Sequence, residues 1–511
     1  MIIKKSSVGK TLYYAALPVL LCVSVLLISC NSGAVSAGRA DTITVMQSSV
    51  AIGDPHICSD SSNRLSLISN IYEALVKRDQ NGHYQPSLAE SWNVEEDGIT
   101  WTFKLRSGVP FHNGDILNAE DVAATLGRVL DPAIGGAFGT QGVYSSYLGS
   151  AKISAVDPLT VQITTEKPMA DLLDLLVAMP ISPKSELDKL PQKYVGSGPY
   201  KISEQTDTKV ILKAFDAYWG KTPVYKKIHW IAESNPEKRV EALKTGRADI
   251  VSGLTHKDAE QLKNDKAAAL YELKSGLCII FMCNAQQGPC KDRRVRQALN
   301  YALDVDTIIK EIKHGAATPL NGYLTPHHFG YNPETPLYPY DPEKARSLLV
   351  EAGYGEGLEL VFDIPSVMPD EAPQLARMMA EQLKKAGITV DIIEHKDRAA
   401  YSEMVREKNI HDACCFDSSP LSTYRVLCEK IQSTRKGPWW QGYKNEEVDN
   451  LIEQTEAAFN NSERQQIYRR IYTIIRDDAP WIFLYRPTRF FGVSPSLKGW
   501  KLRTDGLLLF D

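Results

Sequence analysis

Neither sign of charge dominates these 511 residues: 58 Lys and Arg stand against 62 Asp and Glu, a formal net charge of −4. Without a basic field the chain has nothing to set against a run of phosphates, which argues against nucleic acid as its partner. There is no repeat period and no low-complexity block, and 43% apolar with 23% charged residues is the mixture of a folded globular protein. Disordered and collagenous chains are excluded. The signatures of common enzymes are missing too. No His-Glu-x-x-His and no Gly-x-Ser-x-Gly occurs. Gly220-Lys221-Thr222 ends like a phosphate loop but has Phe215 where the first glycine must stand. Cysteine is sparse. Apart from Cys22 and Cys30, the seven at 58, 278, 283, 290, 414, 415 and 428 are an odd number without zinc spacing, so three disulfides is the ceiling and no metal is expected.

What is there begins with the leader. Lys4, Lys5 and Lys10 precede or open an apolar stretch from Leu12 to Ile28 that holds no acid. The stretch is shorter than the roughly 20 residues of a spanning helix and is interrupted by Pro18, so an export signal over residues 1–29 is expected rather than a permanent anchor. Leu27-Ile28-Ser29-Cys30 resembles the lipobox of bacterial lipoproteins, which implies cleavage before Cys30 and acylation of its thiol, with diacylglyceryl and palmitate-type chains. Several acyl chains make a stable anchor. Residues 30–40 then read as a lipidated tether.

From residue 41 onward strand and helix signals alternate, and the length is enough for two or three domains with a cleft between them. Apolar residues fall on every second position in 99–106, and again at Leu159, Val161 and Ile163, the period of a strand with one buried face. Asp341 as cap, Pro342 in the first turn, Ala345, Leu348, Leu349 and Ala352 on one face and Gly353 as stop spell a helix. A second helix is expected from Ser462, with Gln465 completing a capping box and Ile467, Ile471, Ile474 and Ile475 buried before Pro480. A third carries Leu375, Met378, Met379 and Leu383, stops at Gly387 and leads into a strand over 388–392; its methionines share the leucine face and read as core filler. His327-His328 reads as surface loop rather than as metal ligands. In Gly196-Ser197-Gly198-Pro199-Tyr200, Pro199 removes a donor an anion would need, so the motif reads as a backbone crossing point. Trp439-Trp440 lies among glycines, either as a core plug or as a stacking wall for a ligand.

A dozen blocks in order then resemble the solute-binding proteins of peptide and nickel ABC importers, the oligopeptide- and dipeptide-binding class. They include Asn70-Ile71-Tyr72-Glu73-Ala74-Leu75-Val76, Pro86-Ser87-Leu88-Ala89-Glu90-Ser91-Trp92, the run from Leu105 to Asp115, Gly196 to Tyr200, Tyr218-Trp219-Gly220 and Thr245 to Ile250. Phe281 to Asn284, Asp292 to Leu299, Tyr301 to Asp304 and Gly442-Tyr443-Lys444-Asn445 follow. The resemblance implies an α/β, two-lobed periplasmic-binding-protein-like (type II) fold with an additional third domain and a hinge of crossing strands. Lobe I would comprise 41–67, 195–272 and 487–511, the extra domain 68–194, and lobe II 273–486. It further implies a monomer without cofactor that closes on its ligand and delivers it to permease subunits of an importer, catalysing nothing.

Peptide binders of this class pair the ligand α-amino group with a second-lobe aspartate, and the matching position is Asp417; the alternative is a turn-capping Asp before Ser418-Ser419-Pro420. Trp439, Trp440, Tyr443 and Asn284 are the other ligand-binding candidates, residues 52–60 are the candidates from the first lobe, and Cys415 could join a disulfide with Cys283. The arginine by which dipeptide binders clamp a ligand carboxylate is missing from Pro365-Ser366-Val367-Met368-Pro369. That favours longer peptides held by backbone pairing, or another ligand: a metal chelate, haem, glutathione or a sugar. An exported peptidase and a ligand-free structural lipoprotein are the rival classes.

Overall fold

The computed structural model describes residues 41–57, 61–79, 82–134, 140–497 and 499–510; the expected signal peptide, Cys30, the tether and Cys58 lie outside the described residues. Two mixed sheets carry the two lobes. In the first, strands Ile250–Leu254, Thr42–Gln47, Lys227–Ala232, Lys209–Ala214 and Tyr200–Gln205 lie side by side in that order. In the second the order is Ile388–His395, Leu358–Pro365, Ala413–Ser418, Cys278–Cys283 and then Trp481–Val493. The run Cys278–Cys283 is buried at every position because apolar clusters cover both faces. Ile279, Phe281, Cys283 and Cys415 enter one cluster, Cys278, Ile280, Met282, Cys414 and Phe416 the other.

The 13-residue strand Trp481–Val493 belongs to both lobes. Its first half pairs antiparallel with Cys278–Cys283, its second half with Ala269–Lys274. The hinge is therefore two crossing strands, residues 275–277 beside 486–487, joined where the Ser275 amide donates to the Pro487 carbonyl at 3.0 Å.

The extra domain holds a four-stranded antiparallel sheet, Ala89–Val94, Thr100–Leu105, Thr160–Thr164, Lys152–Asp157, and the helix Ala119–Leu130, closed by a capping box between Asn118 and Asp121. Trp101, Phe103 and Leu105 point inward as their alternation requires. The chain enters and leaves this domain at one crossing: the Gly198 amide donates to the Ile71 carbonyl at 3.0 Å, and a Cβ on Gly196 would stand 2.2 Å from that same oxygen. Glycine is needed there for close approach of two backbones.

The helices Pro342–Glu351 and Ala372–Lys385 form as expected, the first capped by the Asp341 side chain. The helix expected from Ser462 starts earlier. Asn460 caps Asn461–Asp478 by accepting from the amides of Ser462 and Glu463, because a strong capping side chain two residues upstream captures those orphan donors first. The six described cysteines are buried free thiols. Cys415 faces Phe281 and Cys283 faces Ala413, so the pair proposed for a disulfide are diagonal neighbours on one sheet face, farther apart than a disulfide's roughly 3.5–4.5 Å Cβ spacing allows.

Candidate functional site

Strands Leu358–Pro365, Ile388–His395 and Ala413–Ser418 run parallel, with Pro365 level with His395 and Asp363 level with Cys414. Their carboxyl ends therefore finish together. Ser418, at the end of the last, pairs with Cys278, the first residue beyond the hinge. This is the end of lobe II that meets lobe I, and in open α/β sheets ligands sit outside the carboxyl ends of the strands. Partly exposed Asp417 lies here, opposite Ile279, which also pairs with Tyr485 beside the crossing.

The turn after Asp417 is held from below. His328 is 5% exposed, its Nε2–H donates to the Pro420 carbonyl at 2.8 Å and its Nδ1 accepts from the Thr325 amide at 3.2 Å. Burial drives its pKa down to about 4, so it is a neutral strut. This corrects the expectation of a surface position for His328, while His327 beside it stays partly exposed in the loop. The missed signal is the stretch's proximity to lobe II's hinge strand, which only the fold supplies. Thr423 Oγ1 donates to the Phe329 carbonyl, and Ser422 caps the helix Thr423–Lys430 that follows. On the Asp417 side of the sheet Glu371 accepts from Lys313 Nζ at 2.9 Å and from the Tyr485 hydroxyl at 3.0 Å. Burial raises the Glu371 carboxyl, but Lys313 and these hydrogen bonds outweigh it and hold it below the usual range.

The other candidates separate. Trp439 is brought to the same strand, its ring 4.9 Å from Phe416 with the Arg406 guanidinium 5.6 Å above it, but on the face opposite Asp417. Trp440 donates Nε1–H to the Tyr443 carbonyl at 2.7 Å, and the Tyr443 hydroxyl donates to Asp478 at 2.7 Å. Asn284 donates to the carbonyls of Ile410 and His411 at 3.0 and 2.9 Å. Asn284 is level with Asp412, just before the amino end of Ala413–Ser418, so it stands about a strand's length, roughly 16 Å, from Asp417. In the first lobe, Asp54 is bound to Arg128 at 2.6 Å and His56 is buried against the Pro180 carbonyl at 2.8 Å, so both tie lobe I to the extra domain. Among the described residues no group of His, Cys, Asp and Glu is arranged to hold a metal ion.

Most of the sequence blocks serve as joints. Glu73 accepts from Trp219 Nε1 at 2.7 Å, Ser197 Oγ at 2.9 Å and the Tyr218 hydroxyl at 3.0 Å, so three blocks far apart in sequence converge on one buried carboxyl. Arg296, from another block, spends its guanidinium on the carbonyls of Cys290, Lys291, Asp478 and Ala479.

A two-lobed α/β body with a two-strand hinge and a carboxylate at the cleft end of one sheet defines a ligand-closing binding protein. The profile of the bacterial extracellular solute-binding proteins, family 5, matches residues 83–416, and the chain belongs to that family. It is 29% identical over 489 residues to the glutathione-binding protein GsiB of Escherichia coli (strain K12), covering 92% of this chain and 94% of that one. It is 30% identical over 487 residues to heme-binding protein A of Haemophilus influenzae, covering 87% of each. The periplasmic binding protein DppA of Helicobacter pylori, an ABC transporter-associated protein solved with the peptide STSA, superposes with a TM-score of 0.77 at 25% identity over 92% of this chain and 98% of that one. The protein is thus an extracytoplasmic solute-binding protein of an ABC importer and not an enzyme, which closes the peptidase alternative. No helix among the described residues is long and apolar enough to cross a membrane.

Proposed function

We propose that this protein captures peptides in the cleft between its lobes, with Asp417 pairing the ligand's α-ammonium, and that acylated Cys30 anchors it to the membrane that holds the importer permease. The single observation that carries the reading is the position of Asp417: a partly exposed carboxylate at the carboxyl end of Ala413–Ser418, beside the hinge. A carboxylate facing an ammonium gains most when closure excludes water, so the contact couples capture to closure. Trp439 backs the same strand through Phe416 and stiffens it.

The relatives' names favour a second reading within the same role. Glutathione carries an α-ammonium beside a carboxylate, and Asp417 would take that ammonium as it would a peptide's. Mass spectrometry tests both. The full chain is expressed in a bacterial host, extracted with detergent, sprayed natively and then denatured. The expected result is a chain starting at acylated Cys30 that releases mixed peptides, with retention reduced tenfold or more in Asp417→Ala, the effect of losing a charge-assisted hydrogen bond. Release of glutathione alone would favour the second reading. A non-peptide ligand retained equally by Asp417→Ala would overturn the role given to Asp417.

A further inference from the structure

Cys283 ends the strand Cys278–Cys283, and Cys290 stands in the short turn Pro289–Lys291 that follows. Both side chains enter the same apolar cluster of lobe II, at 2% and 0% exposure. The segment between them folds back on one residue. The Asn284 amide donates to the Asp412 carbonyl at 2.8 Å, and a Cβ on Gly288 would stand 2.9 Å from the carboxylate of the same Asp412. The far end of the return is fixed by Arg296, whose Nη1 donates to the Cys290 carbonyl at 3.0 Å. Cys290 is thereby brought back against Cys283, and its thiol donates a hydrogen bond to the Cys283 sulfur.

The other described cysteines are placed differently. Cys414 and Cys415 are successive strand residues that enter clusters on opposite faces of the sheet. The Cys278 thiol donates to the Tyr323 carbonyl at 3.8 Å, and Cys428 completes the apolar core of the extra domain. Small apolar side chains would fill positions 283 and 290 equally well, so packing gives no reason for two thiols in contact. The compartment gives one, because outside the cytoplasm neighbouring thiols are oxidised. A thiol hydrogen-bonded to a thiol needs only small side-chain rotations to reach the roughly 2 Å of an S–S bond.

We infer that Cys283 and Cys290 form a disulfide in the exported protein, a covalent staple across the turn that leads into the helix Arg293–Tyr301. Each thiol gives up its hydrogen, and one S–S bond replaces two S–H bonds. The two electrons and two protons pass by thiol–disulfide exchange to a disulfide oxidant of the cell envelope, which leaves as two thiols. In the packed lobe both sulfurs are shielded from water and burial keeps the Cys290 thiol protonated, so exchange takes place on the chain before it packs. The finished bond is then out of reach of reductants, and the precursor in the reducing cytoplasm lacks it. Asn284, next to the staple, holds the carbonyls of Ile410 and His411 at the entry to the Asp417 strand, whichever ligand the cleft takes.

The test maps the thiols of the wild type. The full chain is exported from a bacterial host, purified without reductant, denatured in excess iodoacetamide, digested with trypsin and sequenced by mass spectrometry. Residues 275–291 form one tryptic peptide that holds Cys278, Cys283 and Cys290. The expected peptide carries a single alkyl group, on Cys278, is two hydrogens lighter than its dithiol form, and takes up two more alkyl groups after reduction. The same chain made without residues 1–29 and kept in the reducing cytoplasm should carry all three at once. Cys290→Ala should lower the melting temperature of the exported protein by roughly 3–5 °C, and that of the reduced protein distinctly less, which separates a lost bond from lost packing. Should that variant not fold, the wild-type map decides alone. Alkylation of both Cys283 and Cys290 in the exported wild type, or a bond from either to another cysteine, overturns the staple, and so does an equal loss in the exported and reduced proteins.

Discussion

Three histidines share one wiring. Each donates Nε2–H to a carbonyl, His56 to Pro180, His112 to Gly198 and His328 to Pro420, and each accepts at Nδ1, from Arg128, Gly196 and Thr325 in turn. An accepting Nδ1 requires the neutral ring, and burial lowers each pKa to about 4. The unfolded chain, with histidine near 6.5, binds more protons throughout the interval between, so the contribution of these rings is lost as pH falls from about 6.5 toward 4. Buried Glu73 and Asp171, whose carboxyls burial raises, bind more protons when folded and act in the opposite direction. A comparison that cancels the carboxyls is therefore needed. His112→Gln keeps a donor for Gly198 and cannot titrate. Its stability from denaturant melts should fall less than the wild type's between pH 7 and pH 5, by about 2 kcal/mol. Parallel curves for the two proteins would show that His112 does not couple folding to protons.

At the scale of elements, helix ends and strand alternation follow from local rules and are legible in the sequence. Trp101, Phe103 and Leu105 alternate inward, and Asp341, Pro342 and Gly353 bound their helix. The capping box at Ser462 fails because two candidates compete within one turn and only backbone geometry decides between Asn460 and Ser462. Asn460→Ala should cost about 1 kcal/mol in thermal or denaturant unfolding and Ser462→Ala distinctly less; the reverse order would return the cap to Ser462. The site is less legible than the elements. Asp417 is found through a resemblance, and nothing in the sequence says that 365, 395 and 416 end level, which depends on parallel register between strands separated by helices. The blocks that carry the resemblance, Glu73 with Ser197 and Tyr218-Trp219 above all, report joints between domains. They identify the architecture and leave the ligand open.

At the scale of the whole molecule, the extra domain does more than enlarge lobe I, because it meets lobe II along a polar seam. The Tyr468 hydroxyl donates to Asp171 at 2.7 Å, Arg464 donates to the Ala170 carbonyl at 2.9 Å, and the Ala170 amide donates to the Glu456 carbonyl at 2.8 Å. Arg435 reaches the Ser146 carbonyl at 3.0 Å, and Tyr424 and Cys428 of lobe II complete the extra domain's own apolar core. The hinge, by contrast, is two crossing strands, with the short strand Ala317–Pro319 paired to residues 485–487 beside the crossing. If closure brings the seam together, its contacts add to the closed state and raise ligand affinity by population shift. Tyr468→Phe removes one such contact and keeps the ring in the lobe II core. A buried hydrogen bond to a carboxyl is worth about 1 kcal/mol net, so the apparent Kd for a bound peptide should rise about three- to tenfold, with a larger radius of gyration for the free protein in solution scattering. An unchanged Kd and unchanged scattering would mean that the seam holds regardless of ligand. The extra domain and lobe II would then move as one body, and closure would be confined to the motion of lobe I over the Asp417 end of the sheet.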